Sequence, residues 1–78
     1  MDRIIAADVF IKIVEQKSLA GAARALDMSR SMVTRYLNQM EKWANTQLLH
    51  RSTRKITLTS EGEKVLNHSR ELIAIAQN

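Results

Sequence analysis

The chain has 78 residues, no cysteine, no proline, 45% hydrophobic and 26% charged residues, and a formal net charge of +4. This length makes one small domain that buries roughly 60% of its unfolded surface, so a lone copy is marginal in stability and a partner would add to it. The lack of cysteine excludes a disulfide framework and a cysteine zinc site. The apolar content is too high for a disordered tail. No run approaches the roughly 18 apolar residues of a membrane span, and the opening is not that of a secretion signal, so a cytoplasmic protein is expected.

Charge is unevenly placed. Residues 1–27 carry four basic and four acidic side chains. Residues 28–55 carry Arg30, Arg35, Lys42, Arg51, Arg54 and Lys55 against Glu41 alone, a net of +5, and residues 56–78 a net of −1. A polyanion is the natural partner of such a segment. A merely solvated basic surface is the alternative.

In chain order, the first predicted helix covers residues 3–16 with Asp2 as its N-cap. Ala6, Phe10 and Ile13 form its buried stripe, widened by Val9 and Val14. Ile4 and Ile11 fall on another side, as lone surface residues or a second contact surface. Ser18 caps a short helix, Leu19–Leu26, whose Ala20-Gly21-Ala22-Ala23 run lets a neighbouring helix approach closely. Asp27-Met28 breaks the pattern. Ser29 then caps a helix over residues 30–44, with Val33, Leu37, Met40 and Ala44 on a buried face and Ser31, Thr34, Arg35, Asn38 and Lys42 opposite. Asn45 suits the left-handed end of that helix.

Ile56 and Leu58 alternate with Thr57 and Thr59, a half-buried strand, and Leu48-Leu49 can supply its partner. The intervening turn contains neither Gly nor Asn, so turn chemistry gives the hairpin little support. The last helix begins at Thr59 or Ser60, both good caps. Val65, Ser69, Leu72 and Ala76 form one apolar stripe, and Leu66 and Ile73 an adjacent one. Packing within one domain uses one stripe easily, so a second helix partner is expected.

A short helix, a tight turn and a longer helix with a polar outer face make a helix-turn-helix. The second helix fits the major groove, where Ser, Thr, Asn and Arg reach base edges or phosphates, and Met32 can meet a thymine methyl. A basic hairpin after it acts as a wing along phosphates or in the minor groove.

Phe10, Ser18-Leu19, Ala22-Ala23, Ser29, Val33-Thr34-Arg35, Met40-Glu41, Leu48-Leu49-His50-Arg51-Ser52-Thr53-Arg54 and Leu58-Thr59-Ser60-Glu61-Gly62 occur in an order and spacing that resembles the N-terminal domain of LysR-type bacterial transcriptional regulators. The resemblance covers nearly the whole chain. It implies a mainly α winged helix-turn-helix fold with a three-helix core, a short two-stranded wing and a long C-terminal linker helix. Residues 1–58 would form the DNA-binding domain and residues 59–78 the linker and dimerisation helix. It further implies a homodimer or higher oligomer on an inverted-repeat duplex site, and a larger effector-binding domain outside this chain, where any small-molecule effector would act. Arg30, Ser31 and Met32 depart from the common pattern in the groove-facing turn. Lys17 stands in place of a turn glycine, which weakens a left-handed assignment there.

The candidate DNA-binding residues are therefore Ser18, Ser29, Arg30, Ser31, Met32, Thr34, Arg35 and Asn38, with Arg51, Ser52, Arg54 and Lys55 of the wing. Ser18 and Ser29 are caps first, at helix N-termini that can also receive phosphate. Arg51 has Glu41 as an alternative, structural partner. The candidate dimerisation residues are Val65, Leu66, Ser69, Leu72, Ile73 and Ala76. Met32, Tyr36 and Trp43 share a flank that more often packs than recognises. His50 and His68 lack spaced ligand partners, so no metal or other cofactor is expected. No nucleophile–base set points to an enzyme. A winged-helix module that binds another protein is the competing function.

Overall fold

The computed structural model describes residues 1–50 and 55–77 and, for Arg51, the backbone. Its elements are α1 (Arg3–Gln16), α2 (Leu19–Leu26), α3 (Arg30–Ala44), β1 (Leu49–Arg51), β2 (Ile56–Leu58) and α4 (Ser60–Gln77). Each helix starts where a short polar side chain replaces a missing intrahelical acceptor. The Asp2 carboxylate accepts from the Ile4 and Ile5 N–H groups at 2.8 and 3.1 Å, and Ser18 Oγ accepts from Gly21 N–H at 2.7 Å. Ser29 Oγ accepts from Met32 N–H at 3.2 Å. Of the two candidate caps for the last helix, Thr59 takes the role, its Oγ1 accepting from Gly62 N–H at 2.9 Å.

α1, α2 and α3 end on Lys17, Asp27 and Asn45, with φ of 56°, 52° and 55°. The left-handed assignment at Lys17, doubtful from its residue type, is therefore correct. Asp27 and Asn45 each turn their N–H back onto the preceding helix, on Ala23 and Arg24 and on Glu41 and Lys42, which closes carbonyls the helix end leaves open.

The core draws on all four helices and β1: Val9, Phe10 and Ile13 from α1, Ala22 from α2, Val33 and Leu37 from α3, then Leu48, Leu49 and Leu66, with Ile56 and Leu58 of β2 packed partly against it. Ile11 is a correction to the sequence reading, since it is 7% exposed and belongs to this cluster, whereas Ile4 stays 45% exposed. The reason is that α1 packs against α2, α3 and α4 at once, so its buried arc is wider than one helical stripe. α4 behaves similarly. Val65, Leu66 and Ile73, drawn from both of its apolar stripes, pack on the domain's own core, and Ser69 is buried.

β1 and β2 pair antiparallel, with Leu49 opposite Leu58 and Arg51 opposite Ile56, so the hairpin forms despite its unpromising turn residues. Its base is fastened at Leu48. Thr59 N–H donates to the Leu48 carbonyl at 3.0 Å, and the Thr59 hydroxyl donates to the Gln47 carbonyl at 2.8 Å. Gly62 lies against the same carbonyl, where a Cβ would overlap the Leu48 oxygen and stand 3.1 Å from Leu58 Cδ2. Only glycine lets the first turn of α4 come this close to backbone. Gly62→Ala is expected to destabilise the domain by at least about 2–3 kcal/mol. The measurement is the urea midpoint, and a midpoint equal to that of the parent chain would refute the close approach.

Candidate nucleic-acid interface

α3 has two faces with separate tasks. Val33, Tyr36, Leu37 and Met40 are buried in the core, while Arg30, Ser31, Arg35, Asn38 and Lys42 are exposed and Met32 and Thr34 are half-buried. At 100° per residue, Ser31, Arg35, Asn38 and Lys42 follow one another down the outer face, along a helix about 22 Å long at 1.5 Å per residue. The inner face fixes the helix, so the outer face is presented without needing to contribute to folding.

That face is cationic and free to take an anion. Among the described residues, ion pairs on α1 and α4 join Lys12 with Asp8 at 3.7 Å and Glu15 at 3.6 Å, and Lys64 with Glu61 at 3.3 Å. Arg30, Arg35 and Lys42 take part in none of them. Arg35, Asn38 and Lys42 also line a shallow cleft of about 280 Å³ with Met1 and Gln39. Gln39 falls between the two faces of the helical wheel, so periodicity alone passes over it. The side chains at the start of α3 touch one another: Ser29 Oγ and Ser31 Oγ are 3.2 Å apart, and Arg35 Nη1 donates to Met32 Sδ at 3.8 Å.

The remaining candidates fall as follows. Ser18 is half-buried, and its oxygen is occupied as acceptor by the cap bond, which leaves its hydroxyl proton for a phosphate. Lys55 is exposed at the hairpin. Ser52 and Arg54, and the side chain of Arg51, lie outside the described residues. The stripe of Met32, Tyr36 and Trp43 divides. Tyr36 is buried, Met32 packs partly against the core, and Trp43 lies at the far end of α3 beneath the Arg3 guanidinium, 4.4 Å from its ring centre. This cation–π contact ties the end of α3 to the start of α1. On α4, Leu66 and Ser69 are buried inside the domain, Val65, Leu72 and Ile73 are half-buried and Ala76 is exposed. Burial of the first two narrows the surface that α4 can offer a second chain.

Among the described residues no three His, Cys, Asp or Glu side chains converge on a metal position, and no described helix is long and apolar enough to cross a membrane.

A short helix packed on a second helix with an outward polar face, followed by an antiparallel hairpin, is a winged helix-turn-helix. The sequence pattern of bacterial regulatory helix-turn-helix proteins of the lysR family matches residues 6–63. The chain belongs to the lysR family. It is 36% identical over 67 residues to a probable hydrogen peroxide-inducible genes activator of Mycobacterium avium, covering 86% of this chain and 22% of that one. It is 39% identical over 64 residues to the HTH-type transcriptional regulator YbhD of Escherichia coli, covering 82% and 20%. The lysR-family chain thus spans about a fifth of the length of the curated relatives it matches. Among solved structures, the CbnR DNA-binding domain in complex with DNA superposes with a TM-score of 0.90 at 31% identity, covering 99% of this chain and 87% of that one. Oxidized OxyR of Corynebacterium glutamicum gives 0.89 at 31%, covering 95% and 24%. The family is regulatory, not catalytic.

One further residue supports the interface from behind. The Glu41 carboxylate, half-buried on α3, accepts from Leu48 N–H at 2.9 Å and so sets where the hairpin leaves the recognition helix. Removing an acceptor from a part-buried N–H costs about 1–3 kcal/mol. Glu41→Ala is expected to lower stability by that amount and to speed amide exchange at Leu48. Parent-like exchange there would show that the bond does not hold the corner.

Proposed function

We propose that this chain is the DNA-binding domain of a LysR-type transcriptional regulator and binds double-stranded DNA sequence-specifically. The outer face of α3 enters the major groove, and the hairpin region of residues 51–55 lies on the backbone or in the minor groove. The carrying observation is the exposed row of Arg30, Ser31, Arg35, Asn38 and Lys42 on a helix whose opposite face is locked in the core. Groove-facing Arg and Asn suit guanine and adenine edges, and the cations suit phosphates. The CbnR domain, which is alike over nearly its whole length, is solved on DNA. Ser18 and Ser29 place two helix N-termini where phosphates are received.

The working unit in this reading is a dimer on an inverted-repeat promoter site, in the cytoplasm and associated with the nucleoid, with effector sensing in another part of a longer protein. Leu72 lines a groove of about 190 Å³ with Arg3, Trp43 and His68, and Ile75 beyond it is 71% exposed. With Leu66 and Ser69 engaged inside the domain, Leu72, Ile75 and Ala76 are what α4 offers a second copy.

The test is fluorescence anisotropy with a duplex enriched by the protein from a random-sequence pool. Neutralising about six to eight phosphates per dimer gives a log–log salt slope of roughly −5 to −7. Arg35→Ala is expected to cost about 1–3 kcal/mol and to relax one base preference per half-site. Unchanged affinity and specificity would remove Arg35 from the reading face, and no salt-dependent binding by the parent chain would favour a protein-binding module instead.

For the dimer, Leu72→Glu is expected to shift the sedimentation equilibrium toward monomer while leaving the far-ultraviolet circular dichroism of the folded domain as in the parent. An unaltered dimer would place the interface elsewhere, with Ile4 as the next surface to examine.

A further inference from the structure

Arg35 is exposed, and among the described residues its one polar contact is the Met32 sulfur, 3.8 Å from Nη1. Met32 itself is anchored. Its side chain packs partly against the core cluster, and its N–H is held by the Ser29 cap. The two residues lie at i and i+3, neighbours on one face of the helix. We propose that Met32 is a positioning residue for DNA reading: its sulfur holds the Arg35 guanidinium in the orientation that meets the base edge. The proposal rests on the DNA-binding reading above.

The chemistry suits a guide better than a trap. A thioether is a weak acceptor, and a guanidinium has five N–H donors in a rigid fork. The contact occupies one donor on Nη1 and leaves the Nε–Nη2 edge for the two acceptors of a guanine. An exposed arginine without such a contact samples many rotamers and must lose that freedom on binding. One restrained beforehand loses less, which strengthens binding by about two- to tenfold for a single long side chain. The sulfur can also release the guanidinium cheaply, so the restraint does not compete with DNA. The same two residues are open to a different account, in which Met32 meets a thymine methyl itself. That account and this one predict different couplings.

The experiment is a double-mutant cycle on the full chain, using the duplex that the parent enriches from a random-sequence pool. Met32→Leu keeps the apolar volume and any methyl contact but removes the acceptor. It is expected to weaken binding about two- to tenfold in the parent background and by less than about twofold in the Arg35→Ala background. Base preference at the position read by Arg35 should broaden in Met32→Leu, while the salt slope stays the same. A folding defect common to both backgrounds would not create this difference between them, and thermal midpoints of all four proteins check for it. Equal losses in both backgrounds would overturn the proposal, because such a loss does not pass through Arg35. No loss in the parent background would overturn it as well. If Arg35→Ala alone leaves affinity unchanged, the positioning role falls while groove binding by the rest of α3 stands. If the parent shows no salt-dependent binding to duplex, both readings fall together.

Discussion

The backbone of Leu48 joins the parts of this domain that must act together. Its side chain is fully buried, its N–H is taken by the Glu41 carboxylate of α3, and its carbonyl is taken by Thr59 N–H at the threshold of α4. Gly62 then lets the first turn of α4 lie directly on that carbonyl. Leaving either group of a buried peptide unpaired costs on the order of 1–3 kcal/mol, a substantial share of the stability of so small a domain. The corner is therefore held from three directions. The functional consequence is geometric. α3 supplies one bond through Glu41 and Thr59, the cap of α4, supplies the other, so the base of the hairpin stands at a fixed offset from the face of α3. An interface assembled before DNA arrives needs less ordering on binding.

A second constraint operates at the same, C-terminal end of α3. Arg3 lies over Trp43, and together they secure the last turn of the helix against the first turn of α1. Ahead of these two fastenings the buried row of Val33, Leu37 and Met40 anchors the rest of the helix. None of the outward side chains is called on for this. α3 is thus held by its inner face and its C-terminal end, and its outer face is left to chemistry.

Much of this is legible in the sequence because the signals are local. Asp2, Ser18 and Ser29 announce helix starts through side chains that cap their own chain within three residues, and Asn45 announces an end through its tolerance of positive φ. The two faces of α3 separate cleanly because apolar and polar residues alternate at the helical period. What is not legible depends on distant contacts. Ile11 reads as peripheral until α1 is seen packed by three helices. The two stripes of α4 read as one too many until Val65 and Ser69 of one and Leu66 and Ile73 of the other are found packed inside the domain. Lys17 lacks the residue type of a left-handed position and adopts it because the tight link between α1 and α2 demands it. Gly62 carries no local signal for its role, since the group it accommodates is fourteen residues earlier in the chain. The Met32–Arg35 contact lies at a spacing that the sequence allows, but spacing alone does not say which of several rotamers an exposed arginine takes.

Docking mode and base preference are therefore separable in this domain. The docking mode follows from the core, the caps and the Leu48 corner, and these are residues whose replacement would cost folding. In the proposed reading base preference follows from Arg30, Ser31, Met32, Thr34, Arg35 and Asn38, most of which the fold does not require. The start of α3 is where this freedom is greatest. The Ser29 oxygen, through Met32 N–H, holds the first turn in place whatever side chains that turn presents, because the bond uses only backbone from Met32. Arg30, Ser31 and Met32 can thus differ from the common lysR-family pattern without disturbing the helix that carries them. Met32 is the exception that joins the two sets. Part of its side chain belongs to the core and its sulfur to the reading face. A change there would reach DNA through packing and through Arg35 together, which makes it the position at which folding and specificity are least independent.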